Sequence, residues 1–198
     1  MKKIIVLCFC SVALMLAQTG EAQALITLAV DPAYQEVGLG SPVDVDVKVS
    51  GLDGPAGLSA FDLRLIYDPM ILAFDSLTFG DPVYGDQLDL KLGSLPDYDD
   101  SVPGTLDFWE LSFDFPEDII DLQMDNFILA SLTFDAIGYG LSPLDLSINE
   151  DGFVDEFYFS YEPDLIEDGA VNVVPEPASL LLLSAGLLGF VSIKKRQL

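Results

Sequence analysis

The chain has no histidine, only two cysteines and one tryptophan, and just 8 of its 198 residues are Lys or Arg. Without histidine there is no Ser-His-Asp or Cys-His nucleophile and no imidazole metal ligand. Both cysteines, Cys8 and Cys10, sit in an apolar N-terminal stretch. Once that stretch is removed, neither a disulfide nor thiol catalysis is available to the remainder. The shortage of cations is more severe in the middle of the chain. Between Leu25 and Val173, Lys48, Arg64 and Lys91 stand against 31 Asp and Glu, a net charge of −28. Every phosphate of a nucleic acid would be repelled by such a body, and so would an anionic membrane surface. The plain reading of this charge is solubility in an extracellular matrix or in salt; the sharper readings are calcium binding and docking to a cationic partner.

The apolar residues, 51% of the chain, are concentrated at its two ends. Lys2 and Lys3 precede an apolar run from Ile4 to Ala17, and Ala22-Gln23-Ala24 follows. Residues 1–24 therefore read as a secretory signal, with Ala22 and Ala24 as the small residues at the cleavage site. The alternative is a retained N-terminal anchor, for which about 14 apolar residues are short. At the other end, Val174-Pro175-Glu176-Pro177 leads into an uncharged segment from Ala178 to Ile193, and then Lys194-Lys195-Arg196. A helix over residues 178–193 would reach about 24 Å, somewhat less than a hydrocarbon core of about 30 Å. The basic cluster holds the cytoplasmic side by the positive-inside rule, which puts the acidic body outside. An ordinary tail anchor is the alternative. The two prolines keep the approach to the membrane extended, because each fixes φ and disfavours helix in the residue before it.

Within residues 25–173 the period is two. Val43, Val45, Val47 and Val49 alternate with Asp44, Asp46 and Lys48; Phe61, Leu63, Leu65 and Tyr67 alternate with Asp62 and Arg64. Ile128, Ala130, Leu132, Phe134 and Ala136 form a third run and Leu144, Leu146 and Ile148 a fourth, while Phe153–Tyr161 reads as an aromatic-rich strand. Ile26–Val30 and Ala170–Val173 are the expected first and last strands. The apolar phase slips between Phe108 and Trp109, which predicts a β-bulge there. Pro116–Asp125 has room for one helical turn, and Tyr84–Val102, acid-rich and poor in strand signals, predicts a mobile insertion loop. Eight or nine short strands separated by Gly, Pro and Asp turns give an all-β sandwich large enough to fold without staples.

Two resemblances follow from these residues. Pro175-Glu176-Pro177, the short apolar segment and Lys194, Lys195 and Arg196 resemble the PEP-CTERM sorting signal of Gram-negative bacteria. That resemblance implies an exosortase-type enzyme that cuts the tail and delivers the protein to the cell envelope, outer surface or extracellular matrix, with a role in exopolysaccharide or biofilm. Tyr67-Asp68-Pro69 with Leu72 and Gly80, Leu129–Phe134 with Gly140 and Leu144–Ile148, and Asp168-Gly169-Ala170-Val171 are together similar to cohesin domains. This second resemblance spans most of residues 25–173. It implies a nine-stranded jelly roll related to carbohydrate-binding modules, of the kind that binds dockerins. The chain departs from a scaffold protein in having one such unit, no dockerin-like segment, and a sorting tail in place of repeats.

The expected organisation is thus a signal peptide over 1–24, a cohesin-like β-sandwich over 25–173, and a sorting signal over 174–198. The expected function is that of an exported, non-enzymatic module that binds a polysaccharide or a protein partner. Trp109 is the candidate binding residue, its alternative being a place in the core. Asn149, Asp151 and Asp155 put oxygen atoms around Asp151-Gly152, the basis for a calcium-stabilised adhesion module. They match an EF-hand loop poorly, and a polar turn is the alternative, so no metal ligands and no cofactor are assigned. A glycoside hydrolase needs one raised and one ordinary carboxyl about 5–10 Å apart across a cleft. With 31 acids some pair will meet that spacing by accident, so no catalytic residue is assigned.

Overall fold

Valine at every second position builds the first long strand. In β3 (Pro42–Ser50) Val43, Val45, Val47 and Val49 are all buried while the residues between them face outward. The same alternation recurs in β4 (Ala60–Tyr67), where Phe61, Leu63, Leu65 and Tyr67 turn inward. Strands with one apolar face must bury it against another sheet, and two sheets result. The computed structural model describes residues 25–52 and 57–175. The signal segment 1–24 with its Ala22 and Ala24, and the tail beyond Pro175 with its expected helix 178–193, lie outside the described residues.

The remaining elements are β1 (Thr27–Asp31), β2 (Tyr34–Gly38), β5 (Leu72–Phe79), β6 (Ser94–Asp99), β7 (Thr105–Ser112), α1 (Pro116–Leu122), β8 (Phe127–Ala136), β9 (Gly140–Val154), β10 (Ser160–Tyr161), β11 (Leu165–Glu167) and β12 (Gly169–Val174). One sheet has the order β11-β1-β3-β8-β5; the other runs β2-β12-β9-β4-β7-β6, with β10 added to β9. The chain changes sheets between β1 and β2, so these are two halves of one opening strand. With β10 and β11 adding only two and three residues, nine principal strands carry the sandwich. Within one sheet Phe61 meets Phe108 edge to face at 6.2 Å, and across the sandwich Tyr67 meets Phe134 of the other sheet at 5.0 Å. Such pairs add about 1 kcal/mol each beyond the area they bury.

Three expectations are corrected. Strand β7 pairs with β4 without any shift of register, and Leu106, Phe108, Glu110 and Ser112 all point inward. There is no bulge at Phe108/Trp109; two polar residues simply continue the inner face. A bulge sits instead in β8, where Val47 faces Ala130 and Lys48 faces Ile128, so that Leu129 and Ala130 are both buried and Ile128 is not. The expected insertion loop over Tyr84–Val102 contains β6, which pairs with β7 across six residues. Finally, Phe153–Tyr161 is a hairpin rather than a single strand. Phe153 and Val154 pair with Tyr161 and Ser160, and the turn between them leaves Phe157, Tyr158 and Phe159 largely exposed. Tyr158 adopts a φ of 68°, a region that β-carbon-bearing residues seldom occupy.

α1 starts with Pro116 at its first turn, followed by Glu117 and Asp118, which favour a helix N-terminus. It buries Ile119, and just past its end Gln123 rivets three segments together. The Gln123 carboxamide accepts from Leu58 N–H at 2.7 Å and donates to the carbonyls of Leu58 and Gln87 at 2.8 and 3.0 Å.

Candidate functional site

Because Phe108 and Glu110 point into the sandwich, Trp109 between them must point out. It stands half-buried on the outer face of the β2-β12-β9-β4-β7-β6 sheet, not in the core. Strand register places it directly between Asp62 of β4 and Asp97 of β6. A groove of about 370 Å3 runs beside the indole, with Ala60, Leu111, Gly152 and Val154 along it. An indole flanked by two carboxylates suits a cation: the ring face attracts it and the acids neutralise it.

Next to Trp109 the face is rigid. Arg64 donates two hydrogen bonds to Asp107, at 2.6 and 2.9 Å, in the two-pronged geometry that guanidinium and carboxylate share. Asn149 donates to Asp62 at 2.8 Å and to Asp107 at 3.2 Å. The Arg64 guanidinium holds the Asp107 carboxyl below the usual carboxylate range, opposed by its partial burial and helped by Asn149. These groups are anchored to one another, so they present fixed charges instead of a mobile fringe.

Two of the residues suggested for a calcium turn are engaged elsewhere. Asn149 is committed to the sheet face, whereas Asp155 accepts N–H groups of Phe157 and Phe159 at 2.8 and 2.9 Å and shapes its own turn. Among the described residues no group of three or more acidic or thiol side chains is arranged to hold a metal ion.

Nor, among the described residues, does the one carboxyl with a strongly raised pKa open onto the groove, although the residue lies along it. Burial, reinforced by the neighbouring Asp86 carboxyl, pushes Glu110 up to about 9. Its residue is 1% exposed and neither carboxyl oxygen reaches solvent or a hydrogen-bond partner. A glycosidase acid must touch its substrate, and Glu110 cannot. Sequence reading overlooked this residue, although counting in twos from Leu106 and Phe108 leads straight to it.

Residues 173–196 match the family model described as the PEP-CTERM protein-sorting motif. This chain carries a PEP-CTERM sorting motif. The match spans Pro175, Glu176 and Pro177 as well as Lys194, Lys195 and Arg196, and the motif marks the chain for export and sorting to the bacterial cell envelope. Solved structures show that the sandwich in front of the motif has a cohesin-like fold. The sixth cohesin of scaffoldin B from Acetivibrio cellulolyticus, solved with a dockerin, is 23% identical. The match covers 75% of this chain and 99% of that one, with a TM-score of 0.58. The OlpC cohesin of Clostridium thermocellum, also solved with a dockerin, is 16% identical over 80% of this chain and 99% of its own, at 0.56. The seventh ScaB type I cohesin of Pseudobacteroides cellulosolvens is 14% identical over 77% and 94%, also at 0.56. No curated protein matches the chain.

Proposed function

We propose that this PEP-CTERM protein is an exported, non-enzymatic binding module, processed by an exosortase-type enzyme, that grips a protein partner with the sheet face around Trp109. It works on the outer surface or in the extracellular matrix of a Gram-negative bacterium. The observation that carries the reading is the outward Trp109 set in register between Asp62 and Asp97, beside an anchored Arg64–Asp107–Asn149 cluster. A Lys or Arg of the partner seats over the indole, flanked by the two acids, while apolar neighbours fill the groove. Solved cohesins that share the fold are bound to dockerins, which supports a protein ligand for this one.

Trp109→Ala weakens capture of the partner from native matrix by more than about tenfold, as loss of a central aromatic anchor does. The thermal midpoint stays nearly constant, since the residue is only half-buried. Asp97→Asn reduces capture less and makes it less salt-dependent. Unchanged capture by Trp109→Ala would move the interface elsewhere.

Sorting is tested separately by mass spectrometry of both termini. The surface form begins near Leu25 and lacks the basic cluster Lys194–Arg196. Replacing both Pro175 and Pro177 by Ala leaves the chain uncut and held at the membrane. A surface form that still ends in Leu198 would refute exosortase processing.

A further inference from the structure

The opposite sheet carries a second concavity that the Trp109 reading does not use. A cleft of about 480 Å3 lies on the outer face of β1, β3 and β8, walled on one side by residues 81–87, the segment that follows β5. That volume falls inside the ~300–1,000 Å3 range of small-ligand sites.

Its wall is preorganised. The Asp81 carboxylate accepts N–H groups of Val83 and Tyr84 at 2.7 and 3.0 Å, and the backbones of Asp81 and Gly85 bond to each other in both directions. Those two N–H groups hold the Asp81 carboxyl below its ordinary range. The turn thus fixes the backbone of Tyr84, a residue that lines the cleft and is 72% exposed. Behind it, Gln87 is buried and its side chain accepts from Met124 N–H at 3.0 Å. The floor is apolar, with Ala29 and Ile128 facing it.

The rim is polar and of mixed character. Lys48, one of three cations between Leu25 and Val173, lies here in an ion pair with Asp31. Asn126 accepts from Gly51 N–H at 3.0 Å, which leaves its NH2 as the half that can donate. Thr27 and Ser50 add hydroxyls, and Asp31, Asp81 and Glu167 add acceptors. Three carboxylates against one ammonium make the cleft net negative, and it repels an anionic ligand.

From this combination we infer that the cleft is a binding site for a short stretch of uncharged, hydroxyl-rich polysaccharide. A pyranose ring has an apolar C–H face that stacks on Tyr84 and the floor. Its hydroxyls both donate and accept, which matches a rim holding an ammonium, an amide NH2, hydroxyls and carboxylates. A Lys or Arg side chain, a donor only, would use the acceptors and leave the rim donors idle. Uronates and phosphorylated sugars are refused by the carboxylate surplus. The module then has two faces, a protein-binding sheet around Trp109 and a glycan-binding cleft behind it, and can tie a sugar chain to a protein.

The test titrates the full chain, in a zwitterionic detergent without a sugar headgroup, with cellotetraose, laminaritetraose, maltotetraose and mannotetraose, and with tetragalacturonate as the anionic control. At least one neutral tetrasaccharide binds. Tyr84→Ala weakens it by more than about tenfold without moving the thermal midpoint. Trp109→Ala leaves it unchanged and tetragalacturonate does not bind. The inference is overturned if no neutral tetrasaccharide binds, if Tyr84→Ala binds as well as the native chain, or if a Lys-rich peptide displaces nothing but itself fills the cleft in a Tyr84-dependent way. Because Trp109 lies on the other sheet, loss of sugar binding in Trp109→Ala alone would overturn this inference, while failure of partner capture would leave it standing.

Discussion

Replacing Glu110 with Gln flattens the dependence of stability on pH above neutrality. In the native chain the Glu110 carboxyl is protonated when folded, because burial first and then the neighbouring acids Asp86 and Asp89 disfavour its charge, opposed by Ser94 from β6. In the unfolded chain it ionises near its ordinary value of 4.5, whereas in the fold it does so at about 9. Between those two values the folded state binds the extra proton. The stabilisation is therefore complete below about 4.5 and is lost as pH climbs through about 9. The slope reaches about 1.4 kcal/mol per pH unit, so several kcal/mol disappear across the window. Ordinary carboxylates finish titrating by about pH 6 and cannot imitate a decline between 6 and 9. Denaturant unfolding at a series of pH values reads the effect directly. Glu110→Gln has nearly the shape of the native acid but no charge to bury, so it is the more stable protein at pH 8. Parallel curves for the two proteins would show that Glu110 ionises freely in the fold.

Asp114→Ala produces a large structural loss for a single substitution outside the hydrophobic core. Asp114 is 4% exposed and its carboxylate collects the N–H groups of Leu90, Lys91 and Leu92 at 2.8, 3.0 and 2.8 Å, with the Ser112 hydroxyl at 3.3 Å. Removing it leaves three backbone donors without their acceptor beneath the segment that leads from the cleft wall into β6. Hydrogen bonds to a charged group are worth about 1.5–3 kcal/mol apiece and do not add fully. A total near 3 kcal/mol is expected. Asp114→Asn keeps one acceptor oxygen and falls between the two. Amide exchange at Leu90–Leu92 accelerates in the order native, Asn, Ala. If those amides exchange at the native rate in Asp114→Ala, the segment is held by something else. The two acids make an instructive pair: one sits beneath the segment with every donor it needs, the other with none.

Much of the sandwich could be read in advance wherever a strand keeps one face in the core and one in water. β3 and β4 are such strands, and their alternation is unbroken. β5 escaped notice because its pairing with β8 shifts between Phe74 and Ser76, which breaks the period of two inside the strand. β6 escaped because it is an edge strand whose residues are almost all exposed, leaving no apolar row to count. The apparent slip at Phe108/Trp109 had the opposite cause. Glu110 and Ser112 hold inner positions normally given to apolar residues, so Trp109 was mistaken for the continuation of the inner face.

The ends of the chain are a different case. A sorting motif is read by another protein as a linear string, and Pro175-Glu176-Pro177 and Lys194–Arg196 lose nothing when they are separated from a fold. Composition likewise settled the acidic surplus and the absence of imidazole chemistry, because charge and residue type do not depend on geometry. What the tertiary structure alone decided is which distant residues share a surface. Lys48, Tyr84, Asn126 and Glu167 meet at one cleft although more than thirty residues separate each from the next. Asp62, Asp97 and Trp109 meet at one face because three strands pair in a particular register. Local sequence carries the strand period, but pairing register is set by the packing of both sheets at once, and a site built across strands exists only after that packing is complete.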